Sequence, residues 1–367
     1  MKRIPILPLV LSLAFPAFAQ ERPASYRVAP TEPGAVKIYA WNMQWFPSGA
    51  PEPKSPKDEA DRIDSAARFL AWQNADIVML EEMRDRKTCE ALVSRPALAG
   101  RGFRVNVCSD FSPPPSADAQ PLQQDAVVSR FPAVDSGFME WNRRRTPAAP
   151  PRGLAWCVLD VEGELWAFVV VHLKSNRIGE WVEDKEAERR TNAAKREESA
   201  RQLVAFAKAN LEGRSYGGRK IANVFIGGDF NTDPMQEDYA GEATVPTLVG
   251  AGYADAFAGE PVEKRYTMDA TRWYPASVFD YLFHKGTAKL FHPEVAPRQY
   301  TSDHRMVCVQ ATTAAASSSQ PVPDERNPPS CPKCGAVTKP WTSPQDGRKF
   351  WGCSRYPVCR GYRELSR

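Results

Sequence analysis

Apolar and polar positions alternate with a period of two from residue 35 to 46, where Val36, Ile38 and Ala40 oppose Lys37 and Tyr39, and this predicts a strand. Residues 47–57 are proline-rich and read as a loop. From 59 to 73 the period becomes helical, with Ile63, Ala66, Ala67 and Leu70 on one face, and 76–80 follows as a short apolar strand. Residues 112–121 form a second loop, 126–129 a strand, and 143–152 a basic, proline-rich segment. Residues 154–161 and 164–172 predict a hairpin turning at Glu162-Gly163. A long polar helix is expected over 184–208, apolar only near its end at Leu203, Val204 and Phe206. The buried-type strand 221–226 is expected to stop at a sharp turn, Gly227-Gly228-Asp229, and 278–283 and 305–310 supply two more strands. Strands and helices mixed in this order imply an α/β body over about 35–310.

Outside that body the pattern disappears. Residues 20–33 are polar and proline-rich and are expected to be loose. Residues 311–330 are rich in Ala, Ser and Pro, bury nothing, and read as a flexible linker to a cysteine-rich unit over 331–362. At the start, Lys2 and Arg3 precede an apolar run interrupted by prolines, and Ala17-Phe18-Ala19 forms a cleavage site. That layout predicts a signal peptide over 1–19, hence export to the periplasm or the extracellular space, without membrane insertion after cleavage.

Composition adds little for a chain with 43% hydrophobic and 25% charged residues, but the charge is uneven. From 324 to 367 there are nine Lys/Arg against four Asp/Glu, so a basic tail follows a mildly acidic body. A basic tail suits a polyanionic partner.

The candidate chemistry lies at strand ends. Asn42, Glu82, His172, Asp229 with Asn231, Asp280, and Asp303-His304 each sit at or near the end of an apolar run, and two of the four histidines are among them. Oxygen ligands beside an imidazole suit a hard cation such as Mg²⁺ and phosphodiester hydrolysis. The body lacks the thiolate or poly-His set of a catalytic zinc site. Each residue alone has an ordinary reading as a turn former or a satisfied strand-end group.

Together the segments Tyr39-Ala40-Trp41-Asn42, Asp76 to Glu82, Val171-His172-Leu173-Lys174-Ser175, Gly227-Gly228-Asp229-Phe230-Asn231 and Ser302-Asp303-His304 resemble the endonuclease/exonuclease/phosphatase superfamily, which includes DNase I. The resemblance covers about residues 35–310. It implies an α/β fold of two mixed β-sheets packed face to face with flanking helices. It also implies that Glu82 is the main Mg²⁺ ligand, helped by Asn42 and Asp303. Asp229 and Asn231 would position phosphate and water, His304 oriented by Asp280 would be the base, and His172 would contact the phosphate or assist the leaving oxygen. Two positions depart from the family pattern: Glu81 stands where Gln is common, and the carboxylate partner of His172 is matched only by the candidate Asp125. Arg152 and Lys174 are placed where phosphate contacts would be useful.

In the tail, Cys331, Cys334, Cys353 and Cys359 follow a C-x2-C-x18-C-x5-C spacing that suits a structural Zn²⁺ site. Two disulfides are the oxidised alternative. The unit resembles the small zinc fingers at the C-termini of bacterial type IA topoisomerases, which implies binding to single-stranded DNA. Trp351, Arg355 and Tyr356 are the expected contacts, aromatics stacking on bases while cations follow phosphates. The chain is therefore expected to be a monomeric DNA endonuclease held on its substrate by the ribbon. A lipid or small-phosphoester hydrolase and a non-catalytic DNA-binding protein are the alternatives.

Overall fold

The computed structural model describes residues 28–112, 123–142, 148–272, 274–299, 301–313, 328–343 and 349–364. The segment 1–19, expected to be a signal peptide, and 314–327, most of the expected linker, lie outside these residues. In chain order the elements are β1 (Ala35–Phe46), α1 (Pro56–Gln73), β2 (Ile77–Met83), α2 (Arg86–Val93), α3 (Pro96–Ala99), β3 (Arg104–Cys108), β4 (Gln124–Ser129), β5 (Ala133–Glu140), β6 (Gly153–Val161) and β7 (Glu164–His172). Then come α4 (Lys185–Asn210), β8 (Ser215–Tyr216), β9 (Arg219–Asp229), α5 (Thr244–Gly250), β10 (Ala254–Asp255), β11 (Asp280–Gly286), β12 (Lys289–Val295) and β13 (Val307–Thr312). The tail adds β14 (Thr338–Thr342), β15 (Lys349–Cys353) and β16 (Tyr362–Glu364).

The body is the expected sandwich of two mixed sheets. One has the order β12-β13-β1-β2-β4-β3 and the other β10-β11-β9-β7-β6-β5, with β8 beside β9. Because side chains alternate along a strand, each sheet offers one face inward. Ile38, Ala40, Ile77, Met79 and Val127 of the first sheet meet Phe168, Val170, Phe225 and Leu282 of the second in a single buried cluster. The outward face of the first sheet packs under residues of α1 and α2, including Ile63, Leu70, Cys89 and Leu92. That of the second packs under Ala200, Leu203 and Ala207 of α4 and Leu248 of α5.

The structure differs from the sequence reading where local chemistry outweighs periodicity. α1 begins at Pro56 rather than 59, because Ser55 caps it by accepting a hydrogen bond from the Asp58 N–H, and proline fits the first helical turn. β5 and β12 carry no readable alternation because both are sheet edges with few buried residues. The described part of the segment expected to be loose is tied down: Lys37 Nζ donates to Ala29 O and Gln310 Nε2 to Pro30 O. No turn breaks β9 at Gly227-Gly228, since the strand continues to Asp229. A Cβ on Gly227 would come within 2.7 Å of Met79 Cε across the sandwich, and one on Gly228 within 2.1 Å of Val171 O. The glycines are demanded by close packing.

Among the remaining cysteines, Cys89 and Cys108 face each other as free thiols with sulfurs 3.9 Å apart, and Cys157 and Cys308 are buried in strands. No helix among the described residues is long and apolar enough to cross a membrane.

One core histidine links the fold to pH. His284 on β11 lies over Phe225 with ring centroids 4.6 Å apart, and its Nε2 is 3.0 Å from Asn223 Oδ1. Burial pushes its pKa down from 6.5 to about 4. The folded state therefore binds this proton less readily than the unfolded chain, and the stability it contributes is complete above pH 6.5 and lost as pH falls towards 4. His284→Gln, which keeps an N–H for Asn223, should flatten the acid limb of a thermal-stability profile in that window. An unchanged slope would show that another group sets it.

Candidate active site

The inward-facing rows of the sandwich end in polar residues at one edge. Along β1 the row runs Ile38, Ala40, Asn42; along β2 Ile77, Met79, Glu81; along β7 Phe168, Val170, His172; along β9 Phe225, Gly227, Asp229. The antiparallel strands β4 and β11 enter from the same edge with Asp125 before Val127 and Asp280 before Leu282. Register places His172 beside Asp229 and Asp229 beside Asp280 in one sheet, and Asn42 beside Glu81 in the other. The site is thus the continuation of the core at the point where the side chains become polar.

Asp229 occupies its centre. Its Oδ2 accepts hydrogen bonds from Asn42 Nδ2 at 3.0 Å and Asn231 Nδ2 at 2.9 Å, and lies 3.5 Å from His172 Nε2 and 3.8 Å from His304 Nε2. Its Oδ1 accepts from the Asn231 N–H at 2.8 Å. Burial, with the Asp280 charge adding to it, pushes the Asp229 pKa up to about 7 against the opposing pull of His304. His304 Nδ1 is 2.8 Å from Asp280 Oδ2, so the carboxylate fixes the ring with Nε2 directed towards Asp229. Burial alone would lower the His304 pKa, but Asp280, Asp229 and Asp303 outweigh it and push it up to about 10. His172 is the opposite case: burial, with Arg152, His304 and Lys174 nearby, holds its pKa well below the usual range and keeps it neutral.

Glu82 closes the site from β2. Its Oε2 accepts from the Trp45 N–H at 2.7 Å, its Oε1 from Asn42 Nδ2 at 3.2 Å, and His172 Nε2 is 3.8 Å from Oε1. Burial raises its pKa, while these donors oppose the shift. The backbone is left-handed at Glu82 (φ 59°), which brings this side chain to the site beside that of its neighbour Glu81. Asn42 directs its amide nitrogen at both carboxylates and holds the Gln44 N–H with its Oδ1 at 2.9 Å. Asp303, expected as a third ligand, is half-buried beside His304, and its oxygens are not in the cluster formed by Asp229, Asp280 and His304.

Glu81 and Asp125 are fully buried, and neither Glu81 oxygen has a hydrogen-bond partner. Burial raises the Glu81 pKa well above the ordinary range, and Asp280, Asp125, Asp229 and Glu82 add to it. A protonated Glu has nearly the shape of Gln, which accounts for its occupying this position. Asp125 lies against the His172 main chain, as its candidacy required, but completes no hydrogen bond to the ring, whose Nδ1 is also unpartnered.

Arg152 is a correction. The expected phosphate contact is directed inward: Nε donates to His172 O at 2.9 Å, Nη2 to Leu173 O at 2.7 Å and Nη1 to Gln123 Oε1 at 2.9 Å. It holds the end of β7 and lends its charge to the site from within. Lys174 is half-buried and donates to Ser175 O at 2.8 Å; burial, with Lys195 and Arg152 nearby, lowers its pKa to about 8. A buried Arg196–Glu242 pair, which the sequence did not reveal, supports this loop, with Arg196 Nη1 donating to Lys174 O at 3.0 Å.

The tail forms a three-stranded sheet, β14-β15-β16. Its four cysteine sulfurs lie within 4.8 Å of one another, with Cys331–Cys359 at 3.8 Å and Cys334–Cys353 at 3.5 Å. A tetrahedron of Zn–S bonds requires sulfurs about 3.8 Å apart, so the cluster is consistent with a zinc ribbon. Trp351 is a second correction: at 6% exposure it forms the ribbon's own small core and has no free face for a base. Tyr356, at 56%, and Arg355 are exposed as expected, and Trp341 and Tyr362 are also accessible.

The unpartnered Glu81 gives a direct test. The folded state holds its proton more tightly than the unfolded chain does, so stability falls as pH rises above the ordinary value of 4.5. Glu81→Gln removes that dependence. In EDTA it should melt at a higher temperature than the parent at pH 8, the gap closing towards pH 4.5. Equal melting at both pH values would mean that Glu81 is not held neutral.

The comparisons agree with this architecture. The human nocturnin catalytic domain with a bound sulfate superposes with a TM-score of 0.51 at 17% identity, covering 77% of this chain and 96% of that one. A mannosyl-6-phosphatase of Bacteroides thetaiotaomicron gives 0.51 at 17% identity, covering 76% and 100%. TDP2 of D. rerio complexed with a single-strand DNA product gives 0.50 at 16%, covering 76% and 99%. Identities this low establish a shared fold. No curated protein sequence matches the chain. The model of the Endonuclease/Exonuclease/phosphatase family matches residues 39–304, most of the chain and every strand of the sandwich edge described above, and the chain belongs to that family.

Proposed function

We propose that this protein is an exported, Mg²⁺-dependent phosphodiesterase that hydrolyses DNA endonucleolytically, with a C-terminal Zn²⁺ ribbon that retains single-stranded DNA. The observation that carries the catalytic reading is the grouping of His304, His172, Asn231 and Asn42 around the Asp229 carboxylate, with Glu82 alongside. The buried carboxylates of Glu82 and Asp229, whose pKa values burial raises, fit a divalent metal; Glu82 and Asp303 would hold it, with Asn42 once its amide oxygen turns from the Gln44 N–H to the site. Such a cation supplies charge to the phosphoryl oxygens and makes water easier to deprotonate.

The side chains account for the rest. His304 presents Nε2 to the attacking water, while Asp280 on Nδ1 fixes the tautomer and stabilises the imidazolium that forms. With uncompensated carboxylates around it His304 keeps its proton, so it acts as a base only once their field is neutralised. His172, neutral and directed at the same centre, is placed to hydrogen-bond the phosphate or the leaving oxygen. Asn231, whose amide nitrogen donates to Asp229 Oδ2 and to Leu173 O, holds that carboxylate in place beside the phosphoryl group, and Lys174 adds positive charge at the rim.

A basic tail with exposed Tyr356 and Arg355 supports DNA over a lipid or a small phosphoester. Tethering a second binding site to the nuclease raises the local concentration of substrate without new catalytic contacts.

Protein beginning at Gln20 should nick supercoiled plasmid in Mg²⁺ and lose all activity in EDTA. His304→Ala should lower kcat by about 10²–10⁴-fold while DNA retention survives. Undiminished nicking would remove His304 as the base; an intact plasmid with hydrolysis of a phospholipid or sugar phosphate would replace the substrate. Tyr356→Ala should weaken binding to a single-stranded oligonucleotide by roughly 1–3 kcal/mol without changing kcat at saturation. Unchanged binding would detach the ribbon from DNA.

A further inference from the structure

Arg62 lies on α1, outside every motif noted in the sequence, yet its guanidinium reaches the two segments that build the site. Nη2 donates to Met43 O and Gln44 O, both at 3.0 Å, and to Thr301 O. The first two carbonyls belong to an irregularity in β1 where pairing with β2 shifts between Asn42 and Phe46. Gln44 and Trp45 are both left-handed there, each with φ 49°. Left-handed backbone at consecutive non-glycine residues is unfavourable and persists only where surrounding contacts enforce it. This distortion is what directs the Trp45 N–H at Glu82 and the Gln44 N–H at Asn42.

The third carbonyl precedes Ser302, whose hydroxyl donates to Asn42 O at 2.6 Å and accepts from the His304 N–H at 3.0 Å. One nitrogen therefore ties the backbone that arranges Glu82 and Asn42 to the backbone that carries Asp303 and His304. The surroundings leave room for it. The guanidinium carbon is 5.9 Å from the Phe46 ring centroid, and a Cβ on Gly49, itself at φ +77°, would fall 1.7 Å from Nη1. Gly49 is the gap through which the side chain passes.

We propose that Arg62 is a positioning residue that sets the geometry of the divalent-cation ligands through the backbone of residues 43–45 and 301, a role that rests on the cation-dependent function proposed above. Its hydrogen bonds go to main-chain carbonyls and to none of the ligand side chains. Groups that orient metal ligands without binding the metal commonly contribute 10–100-fold in affinity, so about that loss is expected on removing Arg62.

The test is calorimetric titration of the full mature protein with Mg²⁺ in the absence of substrate, beside melting temperature and plasmid nicking. Arg62→Ala should raise the Mg²⁺ dissociation constant about 10–100-fold, Arg62→Lys less, and added methylguanidine should restore binding to Arg62→Ala. Arg68→Ala, exposed on the same helix, serves as the control and should bind as the parent does. Should Arg62→Ala fail to fold, Gly49→Ala displaces the guanidinium while keeping the arginine and should show the same loss. If the parent binds Mg²⁺ and both Arg62→Ala and Gly49→Ala bind it equally well, with only the melting temperature lowered, Arg62 is a structural strut and the proposal is overturned. If the parent itself binds no divalent cation, the proposed function fails first and the role of Arg62 falls with it.

Discussion

The molecule is organised around one buried carboxylate. Asp229 Oδ2 sits at the edge of an apolar interior with two amide donors and two imidazole nitrogens within 3.8 Å. A charge there is costly unless polar groups converge on it from several directions. No single element supplies them: Asn42 comes from one sheet, His172 from the neighbouring strand, Asn231 from the turn that follows, and His304 from the loop before β13. The sandwich is the scaffold that brings these four segments to one point. The same burial that makes Asp229 costly gives the site its character, because it strengthens the pull of Asp280, Asp229 and Asp303 on His304 and so raises the pKa of that imidazole.

Bringing backbone so close requires local distortion. Gly227 and Gly228 let β9 approach Met79 and β7 where any side chain would collide. Glu82, Gln44, Trp45, Arg152 and Asn231 are all left-handed, and all border the site. Such conformations hold only when packing enforces them, and the enforcing groups are buried side chains aimed at main-chain carbonyls. Arg62 performs this task on one side of the centre and Arg152 on the other, with Arg196 behind the Lys174 loop. Arginine suits the role because its rigid fork offers several donors at once.

The tail follows another logic. A unit of some thirty residues has too little apolar surface to fold on its own core, and its four converging sulfurs are consistent with a metal in place of one. Trp351 fills most of the interior that exists, which leaves Trp341, Tyr356 and Tyr362 on the surface.

Periodicity in the sequence determined most strands of the sandwich, namely β1, β2, β4, the β6–β7 hairpin, β9, β11 and β13, because their inward rows are almost wholly apolar. It also marked the candidate site, since a polar residue at the end of such a row interrupts the pattern: Asn42, His172, Asp229 and Asp280 were all legible in this way. The cysteine spacing likewise announced the tail's metal-type cluster. Tertiary structure decided everything that depends on direction. A formula of residue types does not tell whether Arg152 points outward to a phosphate or inward to His172 O, or whether Trp351 covers a core or a base. It does not tell that the Gly227-Gly228 pair answers to packing across the sandwich instead of to a turn. Edge strands β5 and β12 were silent because few of their side chains are buried, and Arg62 was silent because its partners are main-chain carbonyls, which every sequence contains. Sequence specifies which groups are present and with what period; only the folded backbone fixes which of them meet, because contacts between residues hundreds of positions apart depend on register, twist and local strain that no single segment encodes.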